Sequence, residues 1–191
     1  MSVKKLLEER RTIRKFQDKK VPDTLIEEYI NIARLSPSAA NLQPLKYVSV
    51  TEDNTVRKMM NYVKWAGYLK GEYNPKEDEI PRAYIVVLND KTVSSPFAQF
   101  DAGAAIMAMN TAAEEDGIGC CIIGSVDRNE IMNLLDIKGD FELLYVIALG
   151  YKKENPVYTD VKDNDIKYYL DGETLNVPKR KLQDVLIKNI K

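Results

Sequence analysis

Histidine is absent from all 191 residues, and cysteine occurs only as the adjacent pair Cys120 and Cys121. Without histidine the chain has no Ser-His or Cys-His nucleophilic pair, no His-ligated haem and none of the usual catalytic zinc sites. Adjacent cysteines fit neither a zinc knuckle nor a C-x-x-C redox pair, so no metal site is expected and the pair reads as small buried apolar residues. Charge of one sign is not in excess either. Lys+Arg is 28 and Asp+Glu is 29, a net of −1, which offers no broad electrostatic surface for nucleic acid. No run approaches the roughly 18 apolar residues of a membrane span. The opening MSVKKLLEERR has no signal-peptide core, so a cytoplasmic location without a membrane partner is expected. No G-x-G-x-x-G dinucleotide fingerprint is present, and Gly119–Ser125 (GCCIIGS) has the frame of a P-loop without its lysine. Hard chemistry, if there is any, falls to a bound organic cofactor.

What is there is an ordinary globular balance, 45% apolar and 30% charged, on a length that suits one domain over 1–191. Residues 2–9 suit a short amphipathic helix capped by Ser2. Residues 24–35 carry a second helix, with Thr24-x-x-Glu27 in capping-box form and Leu25, Ile26, Tyr29, Ile30 and Ala33 at helical spacing. Pro37 stops it. KYVSV (46–50), AYIVVL (83–88), IGCCII (118–123) and FELLYVIAL (141–149) read as strands, the second central because it is apolar throughout. An alanine-rich helix over 98–116 is apolar around most of its circumference and must be covered around most of it. Asp127-x-x-Glu130 opens another helix. Residues 152–178 are charged, tyrosine-rich and aperiodic, with Asp171-Gly172 as a hairpin tip, and read as a mobile segment or one laid against a partner. An amphipathic stretch, Leu182–Ile190, closes the chain. Helices interleaved with strands indicate an α+β or α/β domain.

Several segments carry candidate chemistry. Arg10, Arg11, Thr12 and Arg14 place three guanidiniums and a hydroxyl within five residues, which suits a phosphate grip or a solvated basic patch at a helix end. Lys179-Arg180-Lys181 joins that site or is surface charge. Ile122, Ile123 and Gly124 form an apolar strand end with a turn that permits close approach of a flat ligand, or an ordinary buried strand end. Trp65 and Tyr68 form a lid over a planar ligand or anchor their loop to the body.

In this order, RRTIRKF (10–16), ARLSPSAANLQP (33–44), FDAGAAIMAMNTAAEEDGIGCCIIGS (100–125) and KRKLQDVL (179–186) resemble the nitroreductase family of FMN-dependent oxidoreductases, over nearly the whole chain. The resemblance implies an α+β fold with a central, mainly antiparallel sheet flanked by helices. It also implies an intertwined homodimer with two FMN sites at the interface. Arg10, Arg11, Thr12 and Arg14 match the positions that hold the FMN phosphate and ribityl chain, with Lys179 and Arg180 as the C-terminal basic pair. Pro37, Ser38, Ala39, Asn41 and Gln43 match the segment that reaches the flavin from the other subunit. Ile122, Ile123 and Gly124 match the stretch against the flavin ring. Residues 152–178 become the arm that wraps the partner.

The activity so implied passes electrons from NADH or NADPH through FMN to an electron-poor small molecule such as a nitroaromatic or quinone, with no side chain named as catalytic acid or base. Enone reduction and dehalogenation occur on the same fold, and a flavin-binding redox sensor without turnover is the alternative from another class. Leu45 stands where the family often has an aromatic, and the short 51–82 region is where members build their substrate pocket. Both features bear on the acceptor rather than the cofactor.

Overall fold

Six consecutive apolar residues, Ala83 to Leu88, leave a strand no face for solvent, and the architecture satisfies that demand. The computed structural model describes residues 2–69, 71 and 73–190. Strands β1 (Leu45–Val50), β2 (Ala83–Asp90), β3 (Ile118–Ile123) and β4 (Phe141–Tyr151) form an antiparallel sheet in the order β1-β2-β4-β3, which puts β2 inside. Its side chains alternate. Tyr84, Val86 and Leu88 enter one core with Val50, Trp65 and Ile131. Ala83, Ile85 and Val87 enter a second core with Ile26, Tyr29, Ala102, Ile106 and Met109. The result is an α+β sandwich with a core on each face of the sheet.

Helices α1 (Val3–Glu9), α2 (Asp23–Ala33), α3 (Asp53–Met59), α4 (Ala98–Glu115) and α5 (Arg128–Leu134) flank this sheet. Ser2 caps α1 through the Lys5 amide, and Asp127 caps α5 through the Glu130 amide. The expected Thr24 capping box does not form. Pro22 takes the N-cap position in an extended conformation, so α2 starts at Asp23 and Thr24 is already inside it, with no side-chain cap. Buried α4 residues recur as Ala98, Asp101, Ala102, Ala105, Ile106, Met109, Asn110 and Ala113, one face only. Among the described residues, the chain does not supply the cover expected around most of this helix. Phe100 stays 74% exposed, and Phe97 and Gly103 are exposed beside it.

Residues 152–178 contribute to a sheet of their own. Strands β5 (Val157–Asp160), β6 (Tyr169–Asp171) and β7 (Thr174–Lys179) pair in the order β5-β7-β6, with β5 parallel and β6 antiparallel to β7. Asp171 pairs with Thr174 across a two-residue turn in which Gly172 has φ +58°, the hairpin expected there. Leu175 is buried and joins the core around Tyr84. The C-terminal amphipathic stretch shrinks to α6 (Leu182–Val185), with Leu182, Val185, Ile187 and Ile190 exposed. So short a helix has no stability without a surface for its apolar face.

One contact fixes the N-terminal segment. Gly119 and Gly150 are direct cross-strand partners, and together they strip the β3–β4 surface of side chains. Ile13 and Phe16, both buried, lie on that bare patch. A Cβ at Gly119 would stand 2.6 Å from Ile13 Cβ, and one at Gly150 would stand 2.8 Å from Phe16 Cδ1. Backbone pairing secures the crossing: the Ile13 amide donates to the Cys120 carbonyl at 3.0 Å, and the Gln17 amide to the Tyr151 carbonyl at 2.8 Å.

Gly119→Ala therefore forces Ile13 off its seat and is expected to lower unfolding free energy by about 1–3 kcal/mol, measured by urea denaturation. Burial also pushes the thiols of Cys120 and Cys121 up, to about 12 and about 11, from an ordinary 9.0. A folded pKa above the unfolded one favours the protonated form in the fold, so this stability is intact below pH 9 and declines as pH climbs toward 11–12. Neither thiol is expected to react with a disulfide reagent at neutral pH until denaturant is added.

Candidate cofactor site

With Ile13 and Phe16 pinned inward, the residues between and before them turn outward. Arg10, Arg11, Thr12 and Arg14 meet Lys179, Val177 and Tyr168 around a cleft of about 60 Å³. Two stretches separated by most of the sequence thus converge, the first through the Thr12–Cys120 bridge and the second through β7. Four of the seven lining residues are cations and none is acidic. Among the described residues, no salt bridge engages Arg10, Arg11, Arg14 or Lys179, whereas Lys152 pairs with Glu114 and Lys153 with Asp78. Uncompensated cations beside a hydroxyl are a donor set for a phosphate.

Arg14 projects its guanidinium over the Tyr168 ring, 5.1 Å from the centroid. Tyr168 in turn stacks at 4.9 Å and 52° on Tyr68 and accepts the Tyr68 amide at its hydroxyl. The two readings of the aromatic loop therefore divide between its residues. Trp65 is buried in the core as an anchor, while Tyr68 is half exposed above the cleft's aromatic wall.

Arg11 turns the other way. Its guanidinium donates to the carbonyls of Arg10 and Glu8 and lies over Tyr158 at 4.9 Å. Desolvation first, and Arg10 second, lower its pKa. It also lines a larger cavity of about 690 Å³ with Glu114, Glu115 and Lys152. Arg180, next to Lys179, points away from the cleft and reaches Asn164 Oδ1 at 3.2 Å.

Glu154 governs this segment and was not apparent in the sequence. Its Oε1 accepts the backbone amides of Arg14 and, at 3.0 Å, Lys15, and its Oε2 accepts the Tyr73 hydroxyl. Burial and then this bond raise the Tyr73 pKa. At 140 residues from Arg14, such a contact leaves no local signal.

Further along β3, Ile123 is buried whereas Ile122 is 41% exposed, an uncovered apolar surface one residue from the end of the ladder. Gly124 follows, its carbonyl accepting from Arg128 at 3.3 Å, and a Cβ at this position would meet the Tyr145 ring at 3.6 Å.

Pro37, Ser38, Ala39, Asn41 and Gln43 lie elsewhere. They connect α2 to β1, at the sheet edge opposite β3. Ser38 Oγ accepts the Gln43 amide at 3.0 Å, and Gln43 Nε2 donates to the Asn41 carbonyl at 3.2 Å. Ala40, Asn41 and Gln43 all have positive φ. Pro37, Ser38 and Gln43 border a cavity of about 180 Å³ with Tyr47, whose hydroxyl burial pushes up to about 12. The loop is tied to Asp101 in the first turn of α4, while Arg11 shares a cavity with Glu114 at the far end of that helix. At ~1.5 Å per residue Asp101 and Glu114 stand roughly 20 Å apart along α4. One chain thus gathers the arginines and Lys179 but not the polar loop.

The model of the nitroreductase family matches residues 7–151. A relative from Archaeoglobus fulgidus, provisionally named an NADH dehydrogenase/NAD(P)H nitroreductase, is 30% identical over 166 residues, covering 83% of this chain and 90% of its own. Among solved structures, a nitroreductase family protein from Streptococcus pneumoniae superposes with a TM-score of 0.69 at 20% identity, covering 100% of both chains. An FMN-dependent nitroreductase from Clostridium difficile gives 0.67 at 22% identity, covering 84% of this chain and 98% of its own. No helix among the described residues is long and apolar enough to cross a membrane.

Glu154→Ala strands two backbone amides and a buried hydroxyl, and is expected to cost about 1–3 kcal/mol of stability. Glu154→Gln keeps an acceptor and should recover most of it. Paired denaturation curves measure both.

Proposed function

The chain belongs to the nitroreductase family, and from that premise we propose that it is an FMN-dependent oxidoreductase, active as a homodimer, that carries electrons from NADH or NADPH to an electron-poor small molecule such as a nitroaromatic or quinone. The observation that carries this reading is the cleft of Arg10, Arg14 and Lys179, in which cations gather without a carboxylate partner among the described residues. A phosphate monoester carries close to two negative charges at neutral pH and several strong acceptor oxygens, and such a cleft answers both.

Bound FMN supplies the ring that takes hydride from the nicotinamide and releases electrons to the acceptor. The chain's part is to bind and orient. Arg10, Arg14 and Lys179 hold the phosphate, Thr12 offers a hydroxyl to the neighbouring ribityl chain, and Tyr168 keeps the Arg14 guanidinium in place. Exposed Ile122 forms an apolar wall, and Gly124 allows the backbone to approach a flat ring. No residue is assigned as acid or base, which suits a chain without histidine.

A second copy completes the site in this reading. Pro37, Ser38, Ala39, Asn41 and Gln43 sit too far from their own cleft and are offered to the flavin of the partner. The uncovered face of α4, with Phe97, Phe100 and Gly103, suits the packing of another chain. Residues 1–191 act as one domain, in which 152–178 closes the cleft through Tyr168 and keeps the exposed strand β5 for the partner.

The test is the visible spectrum of the purified protein with FMN, followed by anaerobic NADH or NADPH. A yellow protein bleached by a nicotinamide and recoloured by a quinone is expected. A protein that ignores FMN sinks the reading, and one that stays yellow loses the turnover half of it. Arg14→Ala should weaken FMN binding by about 1.5–3 kcal/mol, the loss of one charge-assisted contact, as read by flavin fluorescence.

A further inference from the structure

Asp101 is the sole charged residue of α4 before Glu114, and it is 1% exposed. Its Oδ1 accepts the Ala39 amide at 3.0 Å. Its Oδ2 is buried without a hydrogen-bond partner among the described residues, beside the cavity bordered by Ser38, Gln43 and Tyr47. A carboxylate in such a place is a poor device for stability alone, since desolvating the charge costs more than one neutral hydrogen bond returns. It lies in the first turn of α4, where the helix dipole favours an acidic side chain, and Arg34 and Lys46 border the same cavity.

The bond matters because of what it restrains. Ala40, Asn41 and Gln43 have φ of 50°, 55° and 51°, a left-handed conformation that asparagine tolerates but that is costly for alanine and glutamine. The other hydrogen bonds of the loop are internal: Asn41 amide to Ser38 carbonyl, Leu42 amide to Ala39 carbonyl, Gln43 amide to Ser38 Oγ and Gln43 Nε2 to the Asn41 carbonyl. Among the described residues, the Asp101–Ala39 contact is the one hydrogen bond that ties Pro37–Gln43 to another element.

We propose that Asp101 is the positioning residue of the polar loop: by holding the Ala39 amide it fixes the strained turn in which Ser38, Asn41 and Gln43 present their side chains to the partner's flavin. The first half concerns this chain alone, and the second rests on the functional reading above.

Three variants separate the possibilities. Asp101→Ala removes the acceptor, and Asp101→Asn keeps one. Ala39→Pro removes the donor without touching the helix, because Ser38 is already extended (φ −128°, ψ 152°) and Ala39 opens its short helical turn, where proline is accepted. In flavin-free protein, amide hydrogen exchange over 38–43 should quicken in Asp101→Ala and stay near wild type in Asp101→Asn. The dissociation constant for FMN should rise about tenfold or more in Asp101→Ala and Ala39→Pro, with thermal midpoint and α4 exchange little changed, and by under about threefold in Asp101→Asn. The double variant should be no worse than Asp101→Ala, since both remove one bond. Wild-type exchange and FMN affinity in folded Asp101→Ala and Ala39→Pro would overturn the proposal, as would an Asp101→Asn as weak as Asp101→Ala. If Asp101→Ala does not fold, Ala39→Pro decides. If wild type binds no FMN, the functional reading fails while the exchange arm still tests the restraint.

Discussion

The seat of Ile13 and Phe16 on the paired glycines Gly119 and Gly150 is the contact on which the site depends. A sheet surface normally bristles with side chains, and a chain crossing it is held at side-chain distance. Two facing glycines remove that spacer, so the backbone of 12–17 comes close enough to hydrogen-bond with Cys120 and Tyr151. Burying an isoleucine and a phenylalanine there stabilises the crossing by several kcal/mol, on the order of 1.5–3 for each side chain. The orientation of Arg10 and Arg14 follows from that anchorage and not from any preference of the arginines themselves.

From this contact the division of the molecule follows. The crossing fixes the cationic cleft beside β3, at one edge of the sheet, and β7 completes it with Lys179. The polar loop enters β1 at the other edge and is held at the opposite end of α4. A helix as long as α4 separates the two sets as a rigid spacer, and no side-chain rotation closes a gap of that size. The same helix leaves its Phe100 face bare. A split donor set and an uncovered apolar face are what a site shared between two copies requires of each.

Legibility in the sequence followed the range of the interactions. Strands β2, β3 and β4, helix α4 and the hairpin at Gly172 declare themselves through apolar runs, small residues and turn chemistry, all written within a few neighbours. The arginine segment and the Pro37–Gln43 loop were visible as motifs, though their separation within one chain was not, because strand order is a property of the folded sheet. The start of α2 departs from the Thr24-x-x-Glu27 pattern because Pro22, in an extended conformation, takes the N-cap position. Tyr168, Glu154 and Asp101 escaped because each acts on a segment far away in the chain, across 140 residues for Glu154 and 62 for Asp101. Asp101 did leave a trace, as a single acid in an otherwise uncharged helix face.

Glu154 and Asp101 share a way of being used. Glu154 lies beside Arg14 and Lys15 and Asp101 shares a cavity with Arg34 and Lys46, yet each uses an oxygen to hold backbone, two amides for Glu154 and one for Asp101. The choice has an electrostatic consequence. A carboxylate bonded to the Arg14 guanidinium would cancel the charge that the cleft offers to an anion, and its removal on ligand binding would have to be offset by the new contact. A carboxylate bonded to the Arg14 and Lys15 amides orders the same segment and leaves the guanidinium to Tyr168, a π-face that orients a cation without neutralising it. Order and charge are thereby separated: acids hold the backbone, aromatics hold the side chains, and the positive field of the cleft stays available.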